Sequence, residues 1–547
     1  MRGFFYLTIF LVMNTVAFFY FIIFNCMVVF ISWRKIKREN KNSAENFFLG
    51  SRSLNFVLVG GLLFLTNING VQFIGENEAV YINNMSVMAW GVTSVVAMII
   101  VAEFFMPIYL RNGIVTTPDF LAQRFDKSTK TWVSIIFLLS YLINMLPSVL
   151  YSGAVVFNGI FDFSDILHLD NWVMLWILIW LMGGLGVVYT IIGGIRLVAV
   201  SDVLLGSCLF IVGICLPYFG LKYLGNGNLT EGVQILLSTK TEHFNAIGSP
   251  KDNVPFNTLF TGMLLVNLNY WGMEQYIVQR ALASKNLAES QKGIALAAVG
   301  KLLSPLMLNI PGVIAVHLYP NMTNTAEIFP RLAGDVLPSI LVGLVAAVIL
   351  GAAITSFNAG LSSGSALFVL NLYQPFYEKK HQVLTQPQLI RIGKRFQLFA
   401  AFAAMLIAPF IALAKNGFYN YLQMVGGAFN VPIFTIIFMG FVTRKMPPLA
   451  AKVGLIFFVV AYILLKMIVN VDLHFLHLLT ILFLITISIM LLIGKLYPLA
   501  IPYEKPAHSA VNIQPWRGRY WYYALLILAM IGLYIIFSPL VLVNNPS

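Results

Sequence analysis

Long apolar stretches recur along the whole chain, and they constrain its fold more than any other feature. A membrane-spanning helix needs about 20 mostly apolar residues. Fourteen stretches qualify: 4–33, 54–75, 86–110, 131–160, 171–193, 197–221, 256–278, 293–318, 336–375, 396–414, 419–443, 448–468, 473–496 and 520–541. Of all residues, 59% are apolar and only 10% charged, whereas soluble domains carry about 25% charged residues. That leaves too little polar surface for a string of soluble domains, and no stretch has the composition of a disordered linker. The first stretch is longer than a signal-peptide core of roughly 7–15 residues and ends in the stop-transfer pattern Ser32-Trp33-Arg34-Lys35. The predicted class is an all-α polytopic membrane protein with about 14 transmembrane helices.

The formal net charge is +13. The basic residues stand in short runs between the apolar stretches, so they speak for membrane orientation rather than a nucleic-acid partner. Of the 34 Lys and Arg, 26 fall in odd-numbered connections and 7 on the opposite side. This bias predicts odd connections in the cytoplasm and both termini outside. Cys26, Cys208 and Cys215 all lie in apolar stretches and form no disulfide framework.

Polar residues inside hydrocarbon are costly and tend to face a cavity or a partner. Thr66-Asn67-Ile68-Asn69-Gly70 stands 200 residues before Val266-Asn267-Leu268-Asn269-Tyr270, each with Asn-aliphatic-Asn in mid-helix and a glycine nearby. They lie on the second and seventh stretches, an odd five spans apart, so equivalent units would be inverted in the membrane. Paired interrupted helices in inverted halves point to a secondary transporter with its site at the midplane. Helix unwinding near Asn69-Gly70 would free the carbonyls of Leu65 and Ile68 for a hard cation such as sodium. The ninth stretch offers the Ala352 carbonyl with the Thr355 and Ser356 hydroxyls. For all of these, ordinary close helix packing is the competing explanation.

Lys301 lies nine residues past Lys292, roughly 13 Å deep at the helical rise, which favours a lysine facing a cavity. Asp202 and Glu274 are also in or near spans, Asp202 as a possible second ion path or a partner of Arg196. Glu103 is close enough to Arg111 to be an interfacial anchor. His474 and His477 lack a third metal ligand. No phosphate-binding loop occurs, and no connection has room for a nucleotide-hydrolysing domain.

These residues resemble the sodium:solute symporters, in particular the sodium/sugar branch. The similarity runs from about Asn46 to Val453 and is strongest over Asn267–Lys285, with Tyr270-Trp271, Gln275, Gln279-Arg280 and Lys285. Further matches are Asn67-Ile68 with Gln72-Phe73, Tyr189 with Gly193-Gly194 and Asp202, and Ala352 with Thr355 and Ser356. The resemblance implies a sodium site at the carbonyls of Leu65, Ile68 and Ala352 and the hydroxyls of Thr355 and Ser356. It implies solute contacts at Asn67, Gln72, Ser94, Asn267, Lys301 and Gln423, with Tyr270 covering the solute and gates at Tyr141 and Tyr419. Two positions depart from the family. Gly91 replaces a solute-binding glutamate of bacterial relatives, and Glu76 occupies a gate position that is usually apolar.

The expectation is therefore a sodium-coupled symporter, not an enzyme, importing a small polar solute such as a sugar by alternating access. It would lie in the cell membrane among lipid, with Na+ as its coupling ion. Residues 1–40 would form an extra helix, 46–253 and 254–446 the halves of a five-plus-five inverted repeat with broken helices, and 447–547 further extra helices. The same fold carrying a carboxylate, or coupled to protons, is the alternative. A membrane-embedded enzyme or sensor would need a catalytic pair or an appended domain.

Overall fold

The apolar stretch around Asn67 does not run as one helix. In the computed structural model, helix α1 (Phe56–Asn67) stops at the asparagine. Ile68 adopts an extended conformation (φ −82°, ψ 106°), and α2 (Gly70–Ile82) begins two residues later. Asn69 itself lies outside the described residues. These are 16–24, 26–27, 30, 54–68, 70–114, 116–322, 324–378, 384–413, 418–504 and 512–543, with the backbone alone for 65, 66, 189 and 191–203. The break frees carbonyls that need partners in an apolar surround. The Asn67 carbonyl is met by the side-chain amide of Gln72 at 2.9 Å.

Two continuous helical runs follow, α3 (Met85–Arg111) and α4 (Lys127–Phe161). The second motif also lies on a divided helix, but the division falls later than Asn269. Helix α5 (Gly262–Gly272) ends after the motif, and α6 (Gln275–Leu282) resumes two residues on. The Asn269 carbonyl accepts from both Met273 N (2.7 Å) and Glu274 N (3.0 Å), which closes the helix at that point. The Gly272 carbonyl, freed by the break, accepts from Tyr109 Oη at 2.9 Å. Three longer runs complete the site: α7 (Leu287–Leu318), α8 (Ser339–Glu378) and α9 (Phe418–Val442).

The described residues are 82% helical with no strand. Eleven helices among them are long and apolar enough to cross a membrane. The count of fourteen differs for identifiable reasons. Most of 4–33 is outside the described residues, and 54–75 and 256–278 are each cut into pieces too short to qualify as one span. The stretches 171–193 and 197–221 lie on one run of helical residues, Asn171–Leu224, which holds two of the eleven spans because the short connection between them is itself helical.

Helix α1 packs along α7, and α8 packs along both α4 and the 171–224 run. The α1–α7 contact is close enough to need glycine on both sides. A Cβ at Gly60 would stand 2.8 Å from the Gly293 carbonyl oxygen, and one at Gly293 would stand 2.5 Å from Val59. Helix α5, with the second break, packs against α3 and α9. The two breaks thus lie at the centre of the bundle, walled by long helices.

Glu103 of α3 does not serve Arg111. It binds Arg519 (3.0 Å), Gln291 Nε2 (2.9 Å) and Tyr523 Oη (3.2 Å), and so fastens the C-terminal helix Arg519–Ile536 to α3 and α7. Glu103→Leu is expected to lower the thermal-unfolding midpoint by a few degrees. An unaltered midpoint would show that the helix is held by its apolar contacts alone.

Candidate functional site

Around the two breaks the helices leave a cavity of about 150 Å³. Asn67 and Gln72 reach it from the first break, Asn267, Tyr270 and Glu274 from the second, Lys301 from α7, Ser356 from α8, and Tyr419 and Gln423 from α9. Its charged lining residues are Lys301 and Glu274; the other polar groups are amides and hydroxyls.

The two breaks are joined by hydrogen bonds. Asn67 Nδ2 donates to Tyr270 Oη at 2.7 Å, and Tyr276 Oη donates to the same oxygen at 3.1 Å. Gln72, with its amide turned to satisfy both neighbours, donates to the Asn67 carbonyl and accepts from Lys301 Nζ at 3.2 Å. Asn267 Nδ2 donates to Thr93 Oγ1 at 3.3 Å. Lys301 is 2% exposed, so its ammonium is tolerated only through such acceptors. Tyr270 Oη thus joins the two breaks: Asn67, which Gln72 adjoins, reaches it from the first, and Tyr276 reaches it from the second.

Other sequence-predicted positions lie elsewhere. Ser94 is fully buried, its hydroxyl donates to the Gly91 carbonyl, and it does not line the cavity. Gly91 does not line it either. A Cβ there would stand 2.4 Å from Ser304 Oγ, which donates to the Lys301 carbonyl at 2.7 Å. The space of the missing carboxylate is thus filled by the helix that carries Lys301. Gly91→Ala is expected to destabilise the protein by about 1–3 kcal/mol through overpacking, and Ser304→Ala in the same chain should restore most of it. A single variant as stable as wild type would show that the contact is slack.

Tyr419 covers Gly75 and meets the Trp90 ring edge-on at 6.3 Å. Tyr141 is buried edge-on to Tyr276 at 6.2 Å and does not itself line the cavity. Glu76 is fully buried beside the cavity, with Oε2 accepting from Asn309 Nδ2 at 3.1 Å.

Helix α8 passes the first break. A Cβ at Gly70 would stand 3.1 Å from Ile349, one turn before Ala352 and Ala353. Thr355 Oγ1 donates to the Ala352 carbonyl at 3.1 Å, while the Ser356 side chain lines the cavity. The extended backbone at Ile68 turns its carbonyl out of the helical pattern, and Leu65 lies in the last turn of α1. Oxygen donors of this kind, uncharged carbonyls and hydroxyls, suit a hard cation. The side chain of Asp202 falls outside the described residues.

Several lining residues escaped the sequence reading. Ser140, Asn144 and Ser148 are spaced four apart on α4, and that polar stripe on an otherwise apolar helix was a usable signal. Trp90, Tyr276 and Asn430 carried no comparable mark.

A model of the sodium:solute symporter family matches residues 47–457. The chain is 40% identical over 522 residues to the uncharacterized symporter YidK of Escherichia coli (strain K12), covering 95% of this chain and 91% of that protein. It is 28% identical over 443 residues to the sodium/glucose cotransporter of Vibrio parahaemolyticus, covering 77% and 79% of the two chains. Its fold is similar to the substrate-bound outward-open structure of a Na+-coupled sialic acid symporter. The TM-score is 0.74 at 20% identity, over 90% of this chain and 99% of that one.

Proposed function

The chain belongs to the sodium:solute symporter family, and on that premise we propose that it imports a sugar together with sodium by alternating access. Sodium coupling and membrane embedding come with the family. The solute class is our reading of the cavity.

The observation that carries it is the pairing of polar edges with ring faces in the lining of one cavity. Asn67, Gln72, Asn267, Lys301 and Gln423 supply donors and acceptors, while Trp90 and Tyr270 supply flat apolar surfaces. A pyranose has hydroxyls around its rim and C–H groups on its face, and it fits such a lining. The sodium/glucose and sodium/myo-inositol cotransporters among the relatives support this class.

In this account sodium binds at the first break, held by the carbonyls of Leu65, Ile68 and Ala352 and the hydroxyls of Thr355 and Ser356. Ion binding fixes α1 against α8, and that shapes the solute site next to it. The Asn67–Tyr270–Tyr276 hydrogen-bond chain closes the path beneath the solute and parts as the halves rock. The membrane potential assists entry by about 2.3 kcal/mol per charge per 100 mV. Fourteen spans in a five-plus-five inverted repeat, with both termini outside the plasma membrane, complete the reading.

Lys301 favours one competing solute, a carboxylate, which would pair with its ammonium. Uptake of labelled hexoses, inositol and small carboxylates by proteoliposomes under an inward sodium gradient separates the two. Accumulation of a neutral sugar is expected, and accumulation of carboxylates alone would overturn the sugar reading.

A further inference from the structure

Glu76 is a carboxylate at the core of a membrane protein, at a position where an apolar gate residue is expected. It is fully buried. Only one of its oxygens is held, by Asn309 Nδ2, and Oε1 has no hydrogen-bond partner. A buried carboxylate in that condition is expensive unless a cation compensates it. The basic group placed to compensate it is Lys301, whose Nζ meets Gln72 one turn earlier on α2. Glu274, the acid that lines the cavity, stands at the second break, two residues beyond the end of α5.

The geometry accounts for this pairing. Gln72 and Glu76 are four residues apart on α2 and therefore share a face. Gln72 touches Lys301 Nζ. The helix that carries Lys301 also carries Asn309, which orients the Glu76 carboxylate. The attraction thus acts across one turn of α2 rather than through a contact ion pair. Both charges stay fixed to the scaffold and leave Lys301 free to donate into the cavity.

We infer that Glu76 is the built-in counter-charge of Lys301 and that it makes the cavity select neutral solutes over anionic ones. The inference rests on the reading of this cavity as the solute site. An uncompensated ammonium in a low-dielectric pocket would draw a carboxylate more strongly than any hydroxyl. With Glu76 in place, the charge around Lys301 is near zero, and an incoming carboxylate is repelled by Glu76 as well as by Glu274 in the lining. A neutral hydroxyl still gains the Lys301 hydrogen bond. Exclusion of the wrong solute by a fixed like charge is a common route to specificity.

Two measurements on the purified full-length protein in sodium-containing detergent test this. The first is a thermal-unfolding cycle without solute, using Glu76→Gln, Lys301→Met and the double variant. Each single variant should lower the midpoint, and the double variant should lose less than the sum of the two. Additive losses would overturn the pairing. The second compares thermal shifts with D-galactose and D-galacturonate, which differ by a carboxylate at C6. Wild type should prefer galactose, and Glu76→Gln should shift the ratio of half-saturating concentrations toward galacturonate by about tenfold. Glu76→Asp should keep the wild-type preference. An unchanged ratio in Glu76→Gln would overturn the selectivity role. If neither compound shifts the wild type or any variant, the sugar reading falls instead, and the solute-free cycle still decides the pairing.

Discussion

Replacing Lys301 by Met is expected to cut solute uptake about thirty- to hundredfold, the loss expected when a hydrogen bond to a charged group worth about 2–3 kcal/mol is removed. Lys301 is buried, lines the cavity and touches Gln72, so its ammonium is aimed where a solute hydroxyl would stand. Met keeps the length and the apolar stem and removes only the donor. The fold should survive with a lowered unfolding midpoint, because Glu76 loses its compensating charge. Uptake per folded molecule, measured against Tyr270→Phe, separates the two parts of the site. Tyr270→Phe keeps the ring but loses both the Asn67 and Tyr276 hydrogen bonds. It should therefore weaken closure of the inner path more than solute affinity. Wild-type uptake of every transported solute by Lys301→Met would reduce Lys301 to a packing residue.

Ser356→Ala is expected to raise the sodium concentration for half-maximal uptake about tenfold, since one of roughly five oxygens is lost and a closed site offers no substitute. Thr355→Ala should have a similar effect, with a second consequence. The Ala352 carbonyl, which now accepts from the Thr355 hydroxyl, would be left with its helical partner alone. Because coupling between two ligands is reciprocal, solute affinity measured at limiting sodium should fall in both variants and recover at saturating sodium. Unchanged sodium dependence in both would move the ion site away from α8.

Most of this arrangement was legible because hydrocarbon makes polar residues conspicuous. Asn67 and Asn267 stood out as amides in apolar stretches, and the glycine after Asn69 marked where α2 would begin. The second break has no such marker inside its motif and falls after it, at Gly272. Its position is set by the Asn269 carbonyl, which gathers the amides of Met273 and Glu274, and by Tyr109, which takes up the freed Gly272 carbonyl. Neither is a local sequence signal. The same holds for Glu103, whose partner Arg519 lies 416 residues away. At Gly91 the family pattern showed only that a carboxylate is missing. Only the packing of Ser304 from α7 shows the space filled.

The central claim is that one cavity couples sodium entry to solute entry, and solute-dependent sodium flux tests it most directly. Proteoliposomes holding the wild type at a clamped membrane potential should take up 22Na+ faster when the transported solute is added outside. The increment should vanish in Lys301→Met and require about tenfold more sodium in Ser356→Ala. Solute uptake that continues undiminished when all sodium is replaced by choline, with no solute-dependent 22Na+ entry, would contradict the account.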